Sequence, residues 1–155
     1  MKKLLSIIIL AAAFASCAPD RPADNQENSS AVNPNPVAAN ADPTKGIGEV
    51  KTVELTNPLD QERVSRGKAI YDMKCSACHK LTDQRLVGPG WKGVTDRRKP
   101  EWIMNMVTNV DVMLDSDPEA QKLLELCLVR MPNQNVSIGD ARDILEFMRQ
   151  NDGAK

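Results

Sequence analysis

One histidine, His79, is all that this 155-residue chain contains, and aromatic residues make up only 3% of it. A lone imidazole rules out any site built on a histidine pair, and a zinc site would need further Cys or His ligands that the chain hardly offers. So few aromatics leave a thin core for a folded part of only about a hundred residues, a size at which domains often need a covalent or cofactor staple. Long apolar runs are missing as well. The longest, Leu4 to Phe14, falls short of the roughly 20 residues that a membrane-spanning helix requires. Excess positive charge is also lacking, with 20 basic against 21 acidic side chains, which argues against a nucleic-acid partner. No nucleophile–base pair and no phosphate-binding loop stands out.

The stretch that does carry chemistry is Cys75-Ser76-Ala77-Cys78-His79. Two cysteines three apart, with histidine directly after the second, form the pattern of covalent c-type haem attachment. Two thiols on one tight turn can each add to one of a haem's two vinyl groups, and the next residue then carries its imidazole beneath the iron. A redox-active CxxC pair would call for a βαβ context, which is not found nearby. Half a zinc site would have only Cys127 as a further nearby thiol. Haem, a large and mostly apolar plate, would supply much of the missing core, so the haem-free chain is expected to fold poorly.

The chain's beginning reads as a targeting segment. Lys2 and Lys3 precede the apolar run, and Phe14-Ala15-Ser16-Cys17 closes it, in the register of a cleaved export signal. Residues 1–17 resemble a bacterial lipoprotein signal, in which Cys17 becomes the acylated N-terminus. Ordinary cleavage near Ala13-Phe14-Ala15 is the alternative. More than one acyl chain gives stable membrane binding, so the expected location is the periplasmic side of a bacterial membrane, lipid-anchored. Cleavage removes Lys2 and Lys3, which takes the basic count from 20 to 18 against 21 acids, a formal −3. Residues 18–48 hold Pro19, Pro22, Pro34, Pro36 and Pro43 among Ala, Asn, Asp and Ser. Such a composition cannot bury enough apolar surface to order itself and predicts a disordered tether with a reach of roughly 30 Å.

Residues 49–155 read as one mostly helical domain. Asn57-Pro58-Leu59-Asp60 is a helix start by composition, and Val64, Gly67, Ile70 and Met73 give an apolar face running into the cysteine motif. A second helix carries Trp102, Ile103, Met106 and Val107. A third begins at Asp117-Pro118-Glu119, with Leu123, Leu124, Cys127 and Leu128 on one face. Ser137-Ile138-Gly139-Asp140 resembles a capping box and opens the last helix, through Ile144, Leu145 and Met148. Lys51 to Thr56 is expected to lie extended, and Asn109 to Asp117 to form a loop.

A second axial ligand opposite His79 cannot be histidine. Methionine, Cys127, a lysine or an open position remain. Met73 is too close to Cys75 to cross the ring, while Met104, Met106 and Met148 read as helix core. Two methionines lie in expected loops. Met131 stands 52 residues beyond His79 and Met113 only 34. Met131 is favoured because Pro132 stops helix formation and holds it extended, with Met113 as the alternative. Cys127 reads first as a small buried apolar residue, with a redox-swapped thiolate ligand or an intermolecular disulfide as sharper options. Lys92, Arg97, Arg98 and Lys99 form a basic cluster that, beside a haem edge, would steer an acidic redox partner.

From Glu62 to Gln150 the chain resembles a class I monohaem cytochrome c. The residues carrying the likeness are Gly67 and Tyr71, Cys75-Ser76-Ala77-Cys78-His79, Val87-Gly88-Pro89 with Gly93, Arg130-Met131-Pro132, and Asp143 to Met148 in the last helix. The resemblance implies an all-α cytochrome c fold, about four helices around one covalently bound haem c. It implies attachment at Cys75 and Cys78, axial ligation by His79 and Met131, and a pocket shaped by Gly88, Pro89 and Trp91. It further implies that the first and last helices cross at Gly67 and that the Pro89 carbonyl accepts a hydrogen bond from His79. The acidic segment Asp111–Asp117 and the unpaired Cys127 depart from the pattern. Met/His ligation fills both axial positions, so the implied role is one-electron transfer rather than catalysis. The expected partners are a quinol-oxidising complex as donor and a terminal reductase or oxidase as acceptor. A haem peroxidase or gas sensor, or a permanent haem subunit of a larger oxidoreductase, is the alternative.

Overall fold

Asp60 opens the first long helix, because its carboxylate takes the otherwise unpaired backbone N–H groups of Glu62 and Arg63. In the computed structural model, which describes residues 42–155, α1 therefore spans Gln61–Lys74. Asn57 does not cap it. Asp60 supplies two capping bonds, while Leu59 turns inward, buried, with its N–H on the Lys155 carbonyl. The remaining helices are α2 (Val94–Arg97), α3 (Pro100–Thr108), α4 (Val110–Ser116), α5 (Pro118–Cys127) and α6 (Ile138–Asn151). Among the described residues the only extended pairing is a bridge between His79 and Arg85.

Among the described residues six α-helices, preceded by a 3₁₀ turn at Pro43–Lys45, stand where about four helices were expected. One addition is the single turn α2. The other is α4, in the stretch Asn109 to Asp117 expected to form a loop. Val110, Met113 and Leu114 recur at i, i+3 and i+4, and all three are buried, which is helical spacing. α4 is kept apart from α5 by Asp117, whose extended backbone precedes Pro118. The same carboxylate accepts bonds from the N–H groups of Glu119 and Ala120 and from Trp102 Nε1, so one buried acid starts α5 and anchors α3. α6 starts at Ser137, whose Oγ accepts from Asp140 N. Leu128, expected on the buried face of α5, instead caps that helix in the left-handed region (φ 60°) and is 86% exposed.

α1 and α6 form the main packing pair. At Gly67 an added Cβ would lie 2.1 Å from the Asp143 carbonyl oxygen, so only glycine permits this approach. Asp143 then binds Arg63 and Arg66 of α1 at 2.8 and 2.6 Å. Residues 51–56 run without regular structure over α6, where Arg142 donates to the Glu54 carbonyl and Arg149 to that of Thr56. The chain's packed part begins ahead of residue 49. Asn105, fully buried, donates to the Lys45 and Val50 carbonyls and accepts from Val50 N, and Ile47 N–H meets Met113 Sδ at 3.0 Å. Residues 42–48, assigned to the tether from composition, thus pack on α3 and α4. The expected signal at 1–17 with Cys17, and the expected tether through residue 41, lie outside the described residues.

Glu146 is fully buried on α6. Burial favours its neutral form, but bonds from Arg142, the Thr56 hydroxyl and Asp60 N hold its pKa below the ordinary 4.5. Asp143 is likewise lowered: burial opposes ionisation, and Arg66 and Arg63 outweigh it. A carboxylate whose folded pKa is depressed contributes stability above its unfolded pKa and loses it as pH falls through the folded value. Thermal stability is therefore expected to be flat near neutrality and to fall below about pH 4.5. Glu146→Gln should cost roughly 3 kcal/mol at pH 7 and flatten that acid limb. An unchanged acid limb in melts from pH 7 to pH 3 would refute the assignment.

Candidate haem site

The C-terminus of α1 delivers the cysteine motif. The N–H groups of Cys75 and Ser76 both bond to the Tyr71 carbonyl, and those of Cys78 and His79 to that of Cys75. This winds residues 75–79 into one tight turn. Cys75 is buried, Cys78 is half-buried, and both are free thiols. Burial, opposed by Lys74, pushes the Cys75 thiol up to about 11. The attacking cysteine of a redox pair needs a lowered pKa, so the environment disfavours that reading. Among the described residues no three His, Cys, Asp or Glu side chains gather as a metal site, which disfavours the zinc reading.

His79 is positioned from three sides. Its carbonyl accepts from the Tyr71 hydroxyl at 2.7 Å, its ring lies 5.7 Å from the Trp91 ring between centroids, and Nδ1 lies 2.9 Å from the Pro89 carbonyl oxygen. A carbonyl only accepts, so Nδ1 carries the proton and Nε2 keeps a free lone pair, the form of imidazole that binds iron. Burial, partly offset by the Pro89 bond, lowers the pKa of His79, which keeps the ring neutral. The loop after the motif is held as tightly. Gly88 N bonds to the Cys78 carbonyl and Trp91 N to that of Lys80. A Cβ at Gly88 would stand 2.4 Å from His79 Cε1. Gly88, Pro89 and Trp91 thus surround the imidazole.

An apolar cavity of about 450 Å³ opens beside this wall. Cys78, His79, Pro89 and Trp91 line one part, Ile103, Met106 and Val107 of α3 another, and Leu123, Leu124 and Cys127 of α5 a third. Met131 and Met148 also belong to the lining, as do Leu114 of α4 and Val129, Arg130 and Pro132 beside Met131. Met113 is not part of it. Met113 is fully buried on α4 with its sulfur against Ile47 N–H. Of the two methionines expected in loops, only Met131 occupies irregular chain. Met106 and Met148, read as helix core, also face the cavity; their apolar spacing fitted both roles equally. Cys127 reaches the cavity from the last turn of α5, while Met131 lies beyond that helix in irregular chain, so the two do not share a helix. Arg97 and Arg98 of the basic cluster reach the rim, where Arg98 is already bonded to Glu119 at 2.9 Å. The donor set fits haem c. The Cys78 thiol and a neutral imidazole line one wall of a largely apolar slot, and the buried Cys75 thiol stands behind it on the same turn.

The family model for cytochrome c matches residues 64–152. The chain belongs to the cytochrome c family. A cytochrome c from Rhodothermus marinus is 34% identical, with a TM-score of 0.69 over 74% of this chain and 100% of that one. An engineered cytochrome c from the same organism is also 34% identical, with a TM-score of 0.67 over 72% of this chain and 98% of the other. The engineered protein is similar at a TM-score of 0.64 in a structure bound to a carbene intermediate, with the same identity and shares covered. No curated protein matches. This cytochrome has the all-α cytochrome c fold and one covalently bound haem c as its cofactor, as the family does. Its family role is haem-based electron transfer with redox partner proteins.

Proposed function

We propose that this cytochrome c is a one-electron carrier with His79 and Met131 as the axial ligands of its haem. It would be lipid-anchored through Cys17 on the periplasmic side of a bacterial membrane. There it would shuttle electrons from a quinol-oxidising complex to a terminal reductase or oxidase. Haem c, when bound, supplies an iron that moves between two oxidation states one electron apart. Cys75 and Cys78 would hold it covalently, and His79 would present Nε2 to it, with Nδ1–H kept on Pro89.

The observation carrying the ligand reading is that Met131 lines the same cavity as His79, on a segment free of helical hydrogen bonding. The Met131 thioether would serve as the second ligand, and such a ligand favours a raised potential. A six-coordinate iron offers no place for substrate, and with His79 engaged the chain has no second imidazole for proton transfer. The largely apolar walls would offer few polar groups to reorient around a changing charge. The test is the ferric absorption spectrum of the holoprotein. Wild type is expected to show the weak near-infrared sulfur-to-iron band and Met131→Ala to lose it and turn high-spin. A band that survives in Met131→Ala would move the ligand to Met106 or Met148.

A second reading, a haem enzyme or gas sensor with a labile distal site, draws on the carbene complex of the engineered relative. It predicts a high-spin wild type that binds small ligands without denaturant.

A further inference from the structure

The acidic stretch Asp111–Asp117 departs from the pattern the resemblance implies; Leu114 in it lines the haem cavity, but Asp111 and Asp115 do not. Its place in the fold supplies a use. Asp111 and Asp115 are four apart on α4 and so share one face of that helix. The opposite face is fixed, since Val110 and Met113 are fully buried and Leu114 nearly so. Arg130, the residue directly before Met131, reaches across to this helix. Its Nη2 lies 2.9 Å from Asp115 Oδ1, 3.2 Å from the Asp111 carbonyl and 3.5 Å from Asp111 Oδ1.

Residues 129–132 have little else to hold them, the next anchors along the segment being the Gln134 carbonyl, which accepts from Lys74 Nζ at 2.9 Å, and buried Val136. α5 ends at the left-handed, exposed Leu128, and α6 does not begin until Ile138. Among the described residues no main-chain hydrogen bond ties residues 129–132 to the rest of the chain, and no other side-chain bond does so either. Val129 is 54% exposed. Met131 is thus held by its own packing against the core and by the Arg130 bonds next to it.

We propose that Asp115 and Asp111 are positioning residues that, through Arg130, latch the Met131 segment onto α4 and so keep the distal methionine in place. This rests on the reading of Met131 as the distal ligand. All three latch side chains are more than 40% exposed, so the latch is weak and screened by salt. Its breaking changes how often the site opens, not whether the domain folds.

The test is a titration of the ferric holoprotein with imidazole, which binds iron only when the methionine has left. Asp115→Asn and Arg130→Ala are each expected to raise the apparent imidazole affinity about two- to fivefold, with the near-infrared band intact before titration. Arg130→Lys should fall between wild type and Arg130→Ala, since lysine keeps the charge but not the planar guanidinium whose Nη2 meets both aspartates. Molar sodium chloride should raise the affinity of wild type and leave Arg130→Ala unmoved. Lys122→Gln breaks an exposed ion pair with Glu119 on α5 and should change nothing. Equal affinities in wild type, Asp115→Asn and Arg130→Ala, with the band present in all, would overturn the latch alone. A wild type without the band would overturn the ligand reading, and the latch with it.

Discussion

Replacing Cys75 and Cys78 together by serine, and purifying the chain free of haem, is expected to give a protein that does not melt cooperatively. The reason is the size of what would be left open. Cavities in protein cores cost about 24 cal/mol per Å³, so the 450 Å³ slot corresponds to about 11 kcal/mol if it stayed dry and rigid. A small domain's whole stability is roughly 5–15 kcal/mol. The walls are apolar side chains of α3, α5 and α6, which cannot satisfy water that enters. The haem-free chain therefore has two options, collapse with loss of register or an expanded helical state. Far-ultraviolet circular dichroism should retain part of the helix signal, while dye binding should report exposed apolar surface. A sharp melt with native-like near-ultraviolet dichroism in the haem-free variant would show that the helices support themselves, and would sink this account.

The local chemistry of the chain was legible because it is written in short spacings. The cysteine motif, the Asp117 and Ser137 caps and the apolar face of α6 each depend on residues within four positions of one another, and each forms as its spacing dictates. Gly67 and the Pro89 carbonyl were legible only through resemblance, since nothing local says that an α6 carbonyl or an imidazole will arrive there. α4 stands in the stretch Asn109 to Asp117 that was expected to form a loop. Helical periodicity was the signal that the burial of Val110, Met113 and Leu114 obeys. The packing of residues 42–48 was not readable from the segment itself. Its partners Asn105 and Met113 lie some sixty residues away, and a polar strap held by one buried asparagine looks like linker in one dimension.

The same distinction separates the two walls of the haem site. The His79 wall is built from contacts within twenty residues, closed by main-chain bonds at Cys78 and Lys80 and by the Nδ1–Pro89 bond. The Met131 wall depends on long-range packing and on a few side-chain bonds, from Arg130 to α4, Lys74 to the Gln134 carbonyl and Arg85 to the Leu126 carbonyl. A rigid proximal side and a more lightly held distal side is the arrangement that a carrier can use to tune its potential through the distal loop, without disturbing the attachment of the haem.

Gly67→Val in the holoprotein is expected to be the most damaging single substitution away from the haem itself. The Cβ would meet the Asp143 carbonyl oxygen at 2.1 Å, its carbon at 2.6 Å and Ile144 N at 3.0 Å. All three are main-chain atoms, so no rotamer change relieves the clash and α1 must move off α6. That movement breaks the Arg63 and Arg66 bonds to Asp143 and shifts the two helices that carry the cysteine turn and Met148 to the cavity. Overpacking of this kind costs roughly 3 kcal/mol or more, and each kcal/mol lowers the melting temperature of a domain this size by about 4–8 °C. A fall of more than about 12 °C follows for Gly67→Val, with Gly67→Ala intermediate because its Cβ makes the same contacts without the branched methyls. Removing the Asp143 side chain as well should bring no rescue, since the colliding atoms belong to the backbone. A Gly67→Val protein that melts within a few degrees of wild type would mean that the two helices separate freely, and that the crossing does not set the shape of the haem cavity.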